Sequence, residues 1–276
     1  MRSPRPIPPR LVAALTAVFV LISAAYGLAQ FRGSRNVTAS IAPDPLPDAD
    51  FVICRLVYPE GQRFAQGWQT DWPLGERNLS IRFSELTRTR VSRGAGRAPN
   101  HYLVRLTDDQ LFSCPFLMAG DVGSMELSPS DATRLREYLL KGGFLWTDDM
   151  WGDEEWEVWK DELAKVLPPS EYPVETITPA DPIFRAQFIV GEMPQIPNIG
   201  YWRRSGGDTS EMQEDSAIPY FHAVRDRHGR ILVVSTRNTD IADAFEREGD
   251  DPEFFAQFSP KGYALGINIM LYALTH

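Results

Sequence analysis

Apolar residues along this 276-residue chain fall into two kinds of run, and the kinds alternate. Short continuous runs rich in β-branched and aromatic residues read as buried strands: Phe51 to Tyr58, His101 to Leu106, Pro115 to Ala119 and Phe144 to Thr147. Between them the apolar positions recur at helical spacing. Leu79, Phe83 and Leu86 make one face of a helix that starts near Asn78. Leu135, Tyr138 and Leu139 make a second, opened by Ser128-Pro129 and stopped by Gly142-Gly143. Trp156, Trp159, Leu163 and Val166 make a third over Asp153 to Leu167, behind an acidic first turn. Thr107-Asp108-Asp109-Gln110 has capping-box spacing and predicts a short helical turn before the third strand.

Residues 168 to 216 are proline-rich and show neither period, so they read as an insertion. Tyr220 to Arg225 and Ile231 to Ser235 flank Asp226-Arg227-His228-Gly229, which has the composition of a hairpin turn. Ser259-Pro260, as cap and first position, predicts a last helix that carries Leu265, Ile269 and Leu274. Repeated strand, helix, strand units predict an α/β fold: a doubly wound, mostly parallel sheet with helices on both faces and an antiparallel hairpin near the end.

Ahead of the first strand the pattern changes. Arg2, Arg5 and Arg10 precede an apolar run from Leu11 to Leu28, and Gly27-Leu28-Ala29 offers the small residues of a signal-peptidase site. Residues 1–29 are therefore expected to be a signal peptide cleaved after Ala29. Uncleaved, the run of ~18 residues would just span a bilayer as an anchor. Either form exports the rest of the chain to the periplasm or beyond, and the second tethers it to the inner membrane. Residues 30–50, with Pro43, Pro45 and Pro47, suit an extended linker, which leaves 51–276 as one α/β domain.

Charge narrows the partners. The chain carries a net charge of −9, and loss of the three arginines takes the remaining 247 residues to −12, which argues against nucleic acid and anionic headgroups. Membrane contact is expected only through residues 11–28, if they are retained. The two cysteines, Cys54 and Cys114, lie inside apolar runs and read first as buried small hydrophobes. An oxidising compartment would also permit a disulfide, which spacing alone does not decide.

Several blocks together resemble the bacterial DUF4159 family of unknown function. They are Gly67-Trp68-Gln69-Thr70-Asp71-Trp72-Pro73, Arg77-Asn78-Leu79, Leu106-Thr107-Asp108 through Pro115-Phe116-Leu117, Gly142-Gly143-Phe144-Leu145 with Asp148-Asp149, and Gly266-Ile267-Asn268-Ile269 with Tyr272-Ala273-Leu274. The resemblance implies a class I glutamine amidotransferase-like, flavodoxin-like fold and names no activity. Amidotransferases of that fold carry a nucleophilic cysteine in the turn after the strand matching Phe144 to Thr147. Here the turn reads Asp148-Asp149-Met150-Trp151-Gly152, so glutaminase chemistry is not expected.

In an open α/β sheet the loops leaving the carboxyl ends of the strands share one crevice. Those loops nominate Trp68, Thr70, Asp71 and Trp72, then Asp121, then Asp148 and Asp149, and Asn238 after the hairpin. Carboxylates, an amide, a hydroxyl and flat aromatics suit a polar, sugar-like ligand. Crowded carboxylates could also divide acid and base roles, or hold a hard divalent cation, with Asp148 and Asp149 its first candidates. Against that stands an ordinary alternative, in which the Asp-Asp pair caps the following helix. Trp68 and Trp72 have a plain alternative as well, as lids on the core. Two functions follow: a non-catalytic ligand-binding or assembly module of the cell envelope, working on a polar small molecule or an envelope protein, and a carboxylate- or metal-dependent hydrolase.

Overall fold

The computed structural model describes residues 40–61 and 67–276, so the expected signal or anchor and residues 30–39 of the expected linker lie outside the described residues. Seven strands form one sheet: β1 (Ile53–Val57), β2 (His101–Arg105), β3 (Leu117–Gly120), β4 (Leu145–Asp148), β5 (Val174–Thr176), β6 (Tyr220–Arg225) and β7 (Ile231–Arg237). Their spatial order is β2-β1-β3-β4-β7-β6-β5. The contacts from β2 across to β7 are parallel, and β6 and β5 are added antiparallel at the far edge.

The period of two along each strand divides the core into two layers. Ile53, Phe116, Met118, Phe144 and Trp146 point into one layer, which is completed by α1 (Leu74–Thr87), α4 (Ile199–Ser205), the single turn α5 (Asp243–Glu246) and the long α6 (Pro252–Thr275). Cys54, Leu117, Ala119 and Leu145 point into the other, covered by α2 (Pro129–Leu140) and α3 (Gly152–Val166). Trp146 and Trp159 are the largest fully buried side chains, one in each layer. No helix among the described residues is long and apolar enough to cross a membrane.

Most of the expected elements form, and the differences have local causes. Ser128 and Asp131 make a reciprocal capping box at α2. The turn after Thr107 forms as a 3₁₀ segment, Asp109–Ser113, without a side-chain cap, because the Asp108 carboxylate instead accepts from the Arg105 amide at 2.8 Å. Helix α1 starts at Leu74 rather than Asn78, and Leu86 on it is exposed. The last helix starts at Pro252, where Asp251 accepts from the amides of Glu253 and Phe254, so Pro260 sits inside the helix instead of opening it. Residues 168–216 contain β5 and α4, elements too short to display a period. Residues 40–50, expected as free linker, lie against the sheet: Ile41 bridges Leu103 in parallel, Leu103 and Ala42 exchange backbone hydrogen bonds with this segment and β2, and Ala42 is buried.

Cys54 on β1 and Cys114, three residues ahead of β3, form a disulfide with their Cα atoms 6.0 Å apart. The expectation of two buried thiols is corrected on pairing and holds on burial, both residues being nearly inaccessible. Neighbouring parallel strands bring the residues together across a sequence separation of 60. A loop of that length removes much freedom from the unfolded chain. Replacing both cysteines by alanine is expected to lower the unfolding free energy by about 2–4 kcal/mol, read from urea denaturation of the oxidised chain and the double variant.

Candidate functional site

Strands β1, β3, β4 and β7 run parallel, so their carboxyl ends and the residues that follow share one edge. Each exit holds one non-glycine residue in the left-handed region: Asp71 ahead of α1, Asp121 after β3, Asp149 after β4 and Asn238 after β7, with φ of 59°, 53°, 57° and 57°. Asp and Asn tolerate this conformation better than other side chains, and such strained residues gather where a structure over-determines them.

Asp148 ends β4 and is fully buried. The Thr236 hydroxyl and the Ala242 amide, the latter at 2.9 Å, both donate to its carboxylate. Burial pushes its pKa up to about 7 against these donors. Asp149 accepts from the Trp151 indole at 2.9 Å and from the Thr70 hydroxyl at 3.4 Å, and burial pushes it up to about 6. Neither carboxylate caps α3. That first turn is held by others: Gly152 donates to Asn238 at 2.9 Å, Trp151 to Glu155 at 2.6 Å, and Asp153 to Asp215 at 3.1 Å.

Beside the pair lies a second set of acids. Asp71 is 8 % exposed, Asp240 2 % and Asp243 0 %, and one ligand oxygen from each falls within 4.8 Å of the other two. Asp240 accepts from the Asp243 amide at 2.9 Å, and Asp243 from the Ile199 amide at 2.6 Å. Asp71 Oδ2 and Asp243 Oδ1 are buried without a hydrogen-bond partner. Burial, and then the other carboxylates, drives Asp71 and Asp240 well above the usual range. Glu246 and Glu211, both partly exposed, are pushed by burial up to about 7.

Two arginines answer this charge, and both have other partners. Arg55 on β1 is fully buried in an ion pair with Glu76 in the first turn of α1. Arg247 pairs with Glu246 at 2.9 Å and reaches Asp243 only at 3.5 Å. Gly120 lets the groups close in: a Cβ there would lie 2.5 Å from the Thr70 methyl, 2.9 Å from Arg55 Nη1 and 3.8 Å from Asp71 Oδ2.

Of the residues nominated from sequence, Thr70, Asp71, Asp148 and Asp149 come together. Asp121 turns toward the Gly67 amide, which donates to it at 2.8 Å, and Asn238 serves as the cap of α3. Trp72 packs edge-on against His101 with ring centroids 4.9 Å apart, and Trp68 packs on the core layer under α2 and α3. Asp243, Glu246 and Glu211 were not nominated. Asp240, Asp243 and Glu246 recur every third residue directly after β7, a spacing that the strand-end argument could have carried three residues further.

The family model described as "Domain of unknown function (DUF4159)" matches residues 52–274, and the chain belongs to that family. No curated protein matches the chain.

Raised carboxyl pKa values mean that the folded chain holds more protons than the unfolded chain, from the ordinary carboxylate pKa near 4 up to about 7. These groups therefore withdraw stability as pH rises through that window, and the loss levels off above it. In chelator-treated buffer the chain is expected to melt higher at pH 5 than at pH 7.5, and Asp148→Asn to narrow the gap, both read by scanning calorimetry. Gly120→Ala is expected to cost about 1–3 kcal/mol, since the Thr70 methyl and the Arg55 guanidinium would have to shift, with urea denaturation as the check.

Proposed function

We propose that this DUF4159 member is exported and acts at the cell envelope as a non-catalytic module, holding a polar, sugar-like ligand or another envelope protein at the carboxyl edge of its sheet. In this reading the domain is a doubly wound, amidotransferase-like fold that lacks the nucleophile of its fold relatives. The observation that carries it is the turn after β4. Asp148 and Asp149 stand there in place of a thiol, and the chain's two cysteines are locked to each other at β1 and ahead of β3. A thiolate cannot form at the strand end. The nominated polar groups are largely engaged in holding loops together, as the partners of Asp148, Asp121 and Asn238 indicate.

Export is supported by the basic-then-apolar start of the chain and by the disulfide, a bond that persists in oxidising compartments. The net charge of −9 leaves nucleic acid an unfavourable partner. Whether residues 11–28 are cleaved or kept decides between a free and a tethered form, and the site needs neither. A hydrolase is the second reading, favoured by one observation. Asp148 and Asp149 are adjacent carboxyls pushed up to about 7 and about 6, so one can hold a proton beside an ionised neighbour near neutrality.

The full chain, assayed with glutamine and with a panel of chromogenic glycosides and esters, is expected to release no product above buffer. It is also expected to melt higher with at least one sugar or polyol. Turnover abolished by Asp149→Asn would replace the binding reading with the hydrolase. Recovery of the native chain in the cytoplasmic fraction of its host would overturn export.

A further inference from the structure

Asp71, Asp240 and Asp243, a set separate from the pair Asp148 and Asp149, bring one carboxylate oxygen each within 4.8 Å of the other two. Asp71 comes from the exit of β1, and Asp240 and Asp243 from the exit of β7, so two segments far apart in sequence bring three carboxylates to one point. All three are more than nine-tenths buried. Among the described residues no Lys, Arg or His lies within ion-pair distance of Asp71 or Asp240. Arg247 faces Asp243 at 3.5 Å but is closer to Glu246, and Arg55 is held by Glu76.

The hydrogen bonds around these acids are one-sided. Asp240 and Asp243 each use one oxygen to accept a backbone amide, from Asp243 and from Ile199. Asp148 fixes the same turn by accepting from the Ala242 amide. Backbone donors thus orient the carboxylates, as outer groups orient the ligands of a metal. What they leave over is Asp71 Oδ2, which has no hydrogen-bond partner and is shut off from water, and Asp243 Oδ1, which has no hydrogen bond and meets only Arg247 Nε at 3.5 Å. A buried carboxylate oxygen in that position costs free energy unless something positive meets it.

We propose that Asp71, Asp240 and Asp243 bind one hard divalent cation of the magnesium, calcium and manganese class. Oxygen donors with no Cys or His suit hard cations, and a spread of 4.8 Å or less between ligand atoms is what bonds of about 2.1–2.5 Å to one centre allow. Thr70 and Asp149 are joined by a hydrogen bond, and Asp149 and Glu246, both partly exposed, are charged neighbours of Asp71. The ion would tie the exit of β1 to that of β7 beneath the edge. This inference does not depend on the ligand-binding reading above, since the cation binds whether or not anything occupies the edge.

The test is calorimetric titration of the chelator-stripped full chain with Ca²⁺, Mg²⁺ and Mn²⁺ at pH 7.5, with melting scans at each end point. One ion per chain and a raised melting temperature are expected for at least one of the three. Asp71→Asn and Asp240→Asn should each lose the heat and the shift while remaining folded by circular dichroism, because each removes one of several like charges. Asp153→Asn, on the exposed surface of α3, should keep both. If an Asn variant does not fold, terbium emission from the native chain excited through tryptophan, and its quenching by excess Ca²⁺, gives the same answer through Trp151, which contacts Asp149. No heat and no shift with any of the ions would overturn the proposal, and so would binding that survives in both Asn variants. The glycoside and ester assays are unaffected by either result, so the two readings fail separately.

Discussion

A carboxylate taken out of water must meet a donor, a proton or a cation, and that constraint orders the carboxyl edge of this sheet. Asp148 meets donors, and through them the end of β4 is pinned to the turn after β7. Asp121 meets the Gly67 amide and draws in the segment after β1. Glu76 meets Arg55, so the first turn of α1 is held onto β1 by a pair with no solvent access. The apolar layers would pack without these contacts. The contacts decide which loop lies against which strand end, and Asp71, with an oxygen that none of them reaches, is the exception they leave.

The sheet and the place of the site were legible for physical reasons. Buried parallel strands need continuous apolar runs, and the runs at 51–58 and 144–147 could be little else. A strand-end carboxylate is the one nearest donors from neighbouring segments, so Asp148 is enclosed and Asp149 is left the more accessible. A loop position does not say which wall a ring will find, and here Trp72 lies against His101 and Trp68 against the core. Asp243 and Glu246 escaped because a single helical turn has no periodicity to announce it. The disulfide is a matter of distance in space, and no pattern along the chain encodes that. Pro260 misled because Ser-Pro is a strong start signal, whereas Asp251 nine residues earlier already capped the helix.

The two core layers share no helix, and this separates two tasks. The layer under α2 and α3 carries the disulfide and one fully buried tryptophan, Trp159, and its helices bury Asp131 and Glu162. The opposite layer carries Arg55, Glu76 and the turn with Asp240 and Asp243, so charge and apolar packing compete on that side.

The segment at 40–42 has a consequence for crowding. A parallel sheet ends in strands whose outer backbone groups can recruit a second chain, and long bare edges invite polymerisation. Here Ile41 and Ala42 cover part of β2 at one margin, and the opposite margin is β5, only three residues long and largely polar at its surface. Neither margin offers a template of useful length. Copies concentrated on a membrane or in a narrow compartment would therefore meet through side chains and stay separable, rather than zipping into a continuous ribbon.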